Sequence, residues 1–140
     1  MGALSPDALA KAEAALKALS SNFGQWLNDE IAKLEAARGV IARDGVTVEN
    51  ADQLFVQAHD LKGLGGTYEY PLITRISGSL CKLMAEKATR TEAPMALVDA
   101  HIDAIKAVVR DTIRDPEHPT GVALATELER RVAEYEASRG

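Results

Sequence analysis

A histidine, a lysine and a glycine with helical spacing form the pattern with the clearest chemical potential in this 140-residue sequence; they are His59, Lys62 and Gly63. A neutral imidazole has a ring nitrogen with a free lone pair and can act as a nucleophile. In a helix, Lys62 and Gly63 lie one turn after His59, so the ammonium can approach an anion held at the ring. A Cβ at Gly63 would crowd the imidazole, and its absence leaves room for a bulky group. The spacing favours attack by His59 on a phosphoryl group.

The segment around His59 has the periodicity of an amphipathic helix. Taking about 100° per residue, a core-facing stripe points within roughly 40°, and His59 lies roughly 130° from its centre. We therefore expect His59 to face solvent. The stripe consists of Leu54, Ala58, Leu61 and Gly65, and the outer side also holds Asp52, Val56, Gly63 and Gly66.

The ends of this helix are predicted from its capping residues. Asn50 and Gln53 have the spacing of a capping box. We expect the helix to run from about Val48 or Asn50 to about Tyr68, with Pro71 marking its limit. The alternative is that Gly65 and Gly66 form a helix C-cap instead of lying inside the helix.

The run Ala58-His59-x-Leu61-Lys62-Gly63, followed by small residues, resembles the phosphoacceptor motif of histidine-containing phosphotransfer (HPt) domains. The resemblance covers roughly residues 22–115. It implies an antiparallel four-helix bundle that passes phosphoryl groups between receiver-domain aspartates in two-component phosphorelays. By this resemblance, His59 is the phosphoacceptor, Lys62 stabilises the phosphate and Gly63 provides steric access.

The resemblance also implies partners for the chain. These are response-regulator receiver domains and a sensor histidine kinase, which can be a hybrid kinase. The chain would carry a phosphoryl group without autonomous turnover, and so would not be an enzyme. It would need no cofactor, since Mg²⁺ is expected only on the receiver domain. The expected docking residues are Asp52, Phe55, Val56 and Gly66, with Trp26, Asp29, Glu30 and Lys33 of the preceding helix as further candidates.

The rest of the chain predicts an all-α protein with a single domain over residues 1–140. Helical stripes separated by short links indicate antiparallel neighbours. We expect a central four-helix bundle over about residues 22–115, with additional helices at about 6–19 and 120–137. A Ser-Ser-Asn sequence at residues 20–22 is expected to interrupt the chain after the first of these helices or to cap the next helix. Residues 88–93 are expected to form a short polar link.

Composition excludes several classes of function. The net charge of -5 gives no reason to expect nucleic-acid binding, which usually shows as a basic patch. Cys81 is the only cysteine, so no internal disulfide forms and a reducing cytoplasm is the expected location. No apolar run approaches the ~20 residues of a membrane span. Nothing in the sequence demands more than a monomer.

Other candidate residues have simpler interpretations. His101 lies in an apolar stripe and is expected to be buried and hydrogen-bonded, His118 to be solvated, and Cys81 to pack as a small hydrophobe. We expect no metal site, because no pair of histidines has ligand spacing. The alternative function is a helical adaptor that binds signalling partners without carrying phosphate. A ligand-binding bundle would need inward-facing carboxylates and histidines, which the pattern does not provide.

Overall fold

The protein is all-helical, as predicted, in a computed structural model that describes residues 5–139 apart from the side chains at positions 20 and 21. The described residues contain no strand. They form five α-helices and one 3₁₀-helix: α1 Pro6–Asp44, α2 Val48–Leu64, α3 Pro71–Leu83, η1 Lys87–Glu92, α4 Met95–Arg110 and α5 Pro119–Arg139. The polar link expected at residues 88–93 is thus largely helical, as η1.

Helix α1 is a single helix of 39 residues. The Ser5 hydroxyl accepts a hydrogen bond from the Ala8 N–H at 3.1 Å, and proline occupies the first helical position. The interruption expected at residues 20–22 is wrong, as is the separate helix at 6–19. Serine and asparagine cost only a few tenths of a kcal/mol in a helix interior, and no proline stands there to end it.

The helices pack around one apolar core. Helix α1 contacts α2 and α4, α2 contacts α3 and η1, and α3 and α4 contact each other and α5. The core uses leucine, isoleucine, valine and alanine much more than aromatic residues. Its largest fully buried apolar side chains are Leu27, Leu34, Leu54, Leu61, Leu72, Ile73, Ile76, Leu80, Val98, Ile102 and Ile105.

Helix α5 is part of this core. Its Ala125, Leu128 and Val132 are buried, and its Glu129 forms a 2.6 Å ion pair with Arg75 of α3. A Cβ at Gly121 would lie 2.4 Å from Leu72 Cδ1, so glycine permits the close approach of α5 to α3. The expectation of a lesser helix at each end therefore fails for the C-terminal helix.

Candidate functional site

Helix α2 begins with two reciprocal hydrogen bonds. The Thr47 hydroxyl accepts from the Asn50 N–H at 3.1 Å, and the Asn50 side-chain oxygen accepts from the Thr47 N–H at 2.8 Å. The Asn50 amide nitrogen also donates to the Gly45 carbonyl at 2.8 Å. The capping box predicted from Asn50 and Gln53 is therefore wrong: Thr47, with an extended backbone, is the N-cap, and Asn50 is the third helical residue.

Helix α2 packs one face into the core and presents the other to solvent. The predicted stripe is buried, and His59 is exposed on the other side of the helix. The His59 ring centroid lies 6.3 Å from that of Phe55, one turn earlier. The prediction that His59 faces solvent is confirmed. The buried residues of α2 are Asn50, Ala51, Leu54, Ala58 and Leu61.

His59 lines an open depression of about 490 Å³ to which α1 also contributes. The Lys33 ammonium donates to the Glu30 carboxylate at 3.0 Å, and this hydrogen bond raises the pKa of Lys33 above its ordinary value. The imidazole is thus open to an incoming group, with a cation on the rim from another helix. The lining residues are Glu30 and Lys33 of α1, with Gln57, His59, Asp60, Gly63 and Leu64 of α2.

Gly63 leaves unfilled space at this depression. A Cβ built at Gly63 would meet no atom within 4 Å, apart from its chain neighbours and the backbone of its own helix. The expectation that a Cβ would crowd the His59 ring is therefore wrong for this arrangement of the ring. The space that glycine leaves is open to solvent, and hence to a group brought by another molecule.

Lys62 lies toward α3. Its Cε and Cδ are 3.7 and 3.9 Å from the position that a Cβ would take at Gly78. Its positive charge acts to lower the pKa of Cys81, but burial of the thiol outweighs this and raises that pKa. Cys81 is buried, as predicted. The ammonium of Lys62 is exposed and carried on a flexible stem, although the described side chain packs on α3 and not in the depression.

Arg90 of η1 engages two of the predicted docking residues. It forms a 2.9 Å ion pair with Asp52, and its guanidinium lies 3.9 Å from the centroid of the Phe55 ring. It also donates to the backbone carbonyls of Met84 at 2.7 Å and Ala85 at 3.2 Å. Arg90 therefore ties η1 to α2 and to the end of α3. No sequence pattern indicated this role, because the arginine stands in a polar segment without helical periodicity.

Val56 and Trp26 are exposed apolar residues about one turn before two residues that line the depression, His59 and Glu30. Val56 and Trp26 each leave 47% of their surface in solvent. Gly66 is also exposed, but it lies in the turn after α2 and not in a helix. Asp29, another candidate on α1, accepts a hydrogen bond from Gln25 at 2.9 Å.

The end of α2 is set by Gly65, its C-cap residue. A Cβ at Gly65 would lie 2.1 Å from Thr74 Oγ1 and 2.7 Å from the Thr74 backbone nitrogen. The close approach of α2 and α3 therefore requires glycine at position 65. The prediction that the helix continues to Tyr68 is wrong, and the alternative, a C-cap, is correct for Gly65.

His101 occupies a buried polar contact between α3 and α4. Its Nδ1 lies 2.7 Å from the Leu97 carbonyl oxygen and therefore donates to it, while its Nε2 accepts from the Ser79 hydroxyl at 2.8 Å. Burial lowers the pKa of His101, against a smaller opposing effect of the Leu97 hydrogen bond. The prediction of a buried, hydrogen-bonded histidine is confirmed. His118 is half-buried, and its Nδ1 accepts from the Gly121 N–H at 3.3 Å.

Comparison with family models, with curated proteins and with solved structures finds no match to this chain. Within residues 5–139, no group of three histidine, cysteine or acidic side chains lies close enough to hold a metal ion. No helix in the same range is both long and apolar enough to cross a membrane.

Proposed function

We propose that this chain is a histidine phosphotransfer protein of a phosphorelay. It accepts a phosphoryl group on His59 from a receiver-domain aspartyl phosphate and passes it to an aspartate of another response regulator. The observation that carries the proposal is the exposed imidazole beside an open depression, with the space at Gly63 unfilled. Such a ring can be approached by a reactive group held on the surface of another protein.

The proposal includes the fold expected for that role. The second half of α1 would combine with α2, α3 and α4 in an antiparallel four-helix bundle, to which α5 is an addition. The closed ring of contacts supports this arrangement: α1 meets α2, α2 meets α3, α3 meets α4, and α4 meets α1. In such a bundle, one helix can present a side chain outward while its other face is held in the core.

In the proposed reaction, a lone-pair nitrogen of neutral His59 attacks phosphorus in line with the aspartyl oxygen. The nitrogen–phosphorus bond forms as the phosphorus–oxygen bond breaks, and the electron pair leaves on the aspartate carboxylate. The other ring nitrogen keeps its proton, so the phosphorylated ring is cationic until that proton is released to water. Attack by a second receiver aspartate reverses these changes. Phosphoryl transfer of this kind depends on positioning and neutralisation of charge.

Two lysines of the chain can contribute positive charge. Lys33 already stands on the rim of the depression, although it is paired with Glu30. Lys62 packs its stem on α3, and rotation of that stem would bring its ammonium toward a phosphoryl group on His59. We therefore assign phosphate stabilisation to Lys62, with Lys33 of α1 as a second cation.

The proposed partners are receiver domains and a sensor histidine kinase in the cytoplasm, and they would dock around His59. Val56 and Trp26 supply exposed apolar surface for such a contact. Asp52 and Phe55 hold Arg90 against α2, and through this contact they contribute to the proposed docking surface. Any Mg²⁺ would be bound by the receiver, so the chain needs no cofactor.

The test is transfer of label from a receiver domain that carries a radiolabelled aspartyl phosphate. We expect the full chain to gain an acid-labile phosphoryl group, and His59→Gln to gain none. His118→Gln is the matched control and should accept label like the wild type. Incubation with labelled ATP alone should leave the chain unlabelled.

Two results would contradict the proposal. Equal labelling of His59→Gln would show that another residue is the acceptor. A chain that binds receivers without accepting label from any of a panel of them would instead be the phosphate-independent adaptor.

A further inference from the structure

The first half of α1 carries an apolar stripe that is largely exposed; at its end, the Phe23 ring contacts that of Tyr68, with the centroids 6.0 Å apart. Every side chain described from Ser5 to Trp26 is exposed. Leu9, Leu16 and Leu19 leave 47, 67 and 47% of their surfaces in solvent. The positions of this stripe are separated by three and four residues, which is the pattern found along the seam between two paired helices. We call it the extension stripe; it consists of Leu9, Ala12, Leu16, Leu19 and Phe23.

The extension stripe continues the face with which α1 enters the core. Leu9 and Leu27 are 18 residues apart, and so are Leu16 and Leu34. Eighteen residues are five turns at about 3.6 residues per turn, so each pair points in the same direction. Leu27 and Leu34 are buried against the other helices. The face is therefore covered along the second half of α1 and largely exposed along the first.

An apolar stripe of this length is suited to packing against a helix of another molecule. About four turns of helix without tertiary contacts are marginal in water. Half-exposed side chains of this size leave about 100 Å² each. Including the alanine and the stems of flanking residues, a pair of stripes would bury on the order of 1,000 Å², near the lower limit of specific interfaces. That area fits a weak association between proteins.

We propose that the cover is the extension stripe of a second copy of this chain, in an antiparallel pair. The direction follows from where the core lies. The other helices pack on the same side of α1 as the stripe, so in a parallel pair the two cores would occupy the same space. In an antiparallel pair they lie at opposite ends, and the interface closes with two-fold symmetry.

The register of the pair follows from the same symmetry. With Leu16 on the two-fold axis, Leu9 lies beside Phe23 of the second copy, and Ala12 lies near its Leu19. The small Ala12 then faces a larger side chain, as close packing favours. The segment itself adds no net charge that would oppose self-association, because residues 5–23 contain two acidic and two basic side chains: Asp7, Glu13, Lys11 and Lys17.

Sedimentation of the full chain tests the association. At protein concentrations from about 1 µM to about 500 µM, we expect an equilibrium between monomer and dimer. Leu16→Glu places two carboxylates face to face at the axis and should weaken the dimer at least about 100-fold. Ala18→Glu adds the same charge on the opposite side of α1 and should change the dissociation constant less than about twofold.

Disulfide cross-linking tests the direction, in a Cys81→Ala background. Mixing Leu9→Cys with Phe23→Cys should give a cross-linked heterodimer, while neither variant alone should cross-link efficiently. Efficient self-linking of either variant indicates a parallel pair and overturns the proposal. A chain that stays monomeric at all concentrations also overturns the proposal, whether or not it binds anionic vesicles. So does an Ala18→Glu variant whose dimer is weakened as much as that of Leu16→Glu.

Discussion

Two histidines of this chain occupy opposite environments. His59 is exposed on the outer face of α2, beside a depression that another molecule can enter. His101 is fully buried between α3 and α4, with a hydrogen bond at each ring nitrogen. Burial disfavours the charged form of the second ring, whereas the first ring stands in solvent. The same side chain is thus suited to chemistry with a partner in one place and to holding two helices together in the other.

The glycines of α2 repeat this contrast over three positions. Gly63 faces open space, and a Cβ there would contact no other helix. Gly65 faces α3, where a Cβ would clash with Thr74. One glycine therefore affects what can approach the chain, and the other affects how its helices pack.

Replacing each histidine with alanine should separate the two environments most strongly. His101→Ala leaves the Ser79 hydroxyl without its partner and opens a cavity, so it should lower the free energy of unfolding by about 3 kcal/mol. His59→Ala removes an exposed ring and should change it by less than about 0.5 kcal/mol. Urea denaturation followed by circular dichroism measures both. Equal losses for the two variants would contradict the contrast.

Gly65→Ala should be the next largest effect. The new methyl would overlap the Thr74 backbone, which cannot move aside as a flexible side chain would, so we expect a loss of about 1–3 kcal/mol. Gly66→Ala is the matched control, since a Cβ there meets nothing within 4 Å. If both variants unfold at the same urea concentration as the wild type, α2 and α3 do not approach as closely as described.

The pH dependence of stability should report His101. Burial lowers the pKa of His101 below its value in the unfolded chain. The contribution of neutral His101 to the free energy of unfolding is therefore fully present above about pH 6.5. It is lost as the pH falls toward the folded-state pKa, because the unfolded chain then binds the proton more readily. The slope cannot exceed about 1.4 kcal/mol per pH unit for one proton. His101→Ala should flatten the profile between about pH 6.5 and 5. The same slope in the wild type and in His101→Ala would rule this out.

The sequence predicted those features that depend on periodicity. The stripe of α2 placed His59 outside, and the stripe of α4 placed His101 inside. Helix ends were less predictable, because they depend on single capping contacts. Thr47 displaced Asn50 as the N-cap, and the close approach of Thr74 explains why Gly65 is a glycine.

Long-range contacts were beyond prediction from local pattern. Arg90 lies 38 residues from Asp52, and its ion pair exists only because η1 packs on α2. The two terminal segments show the same limit. Both read as amphipathic helices, but α5 is packed into the core while the first half of α1 is exposed. Periodicity indicates that a helix has an apolar face, but it does not indicate which surface that face packs against.

Gly63→Ala should give the smallest effect and the sharpest test of the outer face. Glycine costs about 0.5–1 kcal/mol in a helix relative to alanine. Because the new methyl meets no described atom, the variant should be more stable by about this amount. If the open space serves an incoming receiver domain, the same variant should accept label more slowly while folding better. Urea denaturation and the rate of label transfer measure the two effects, and a variant that is less stable than the wild type would mean that the space beside His59 is already filled.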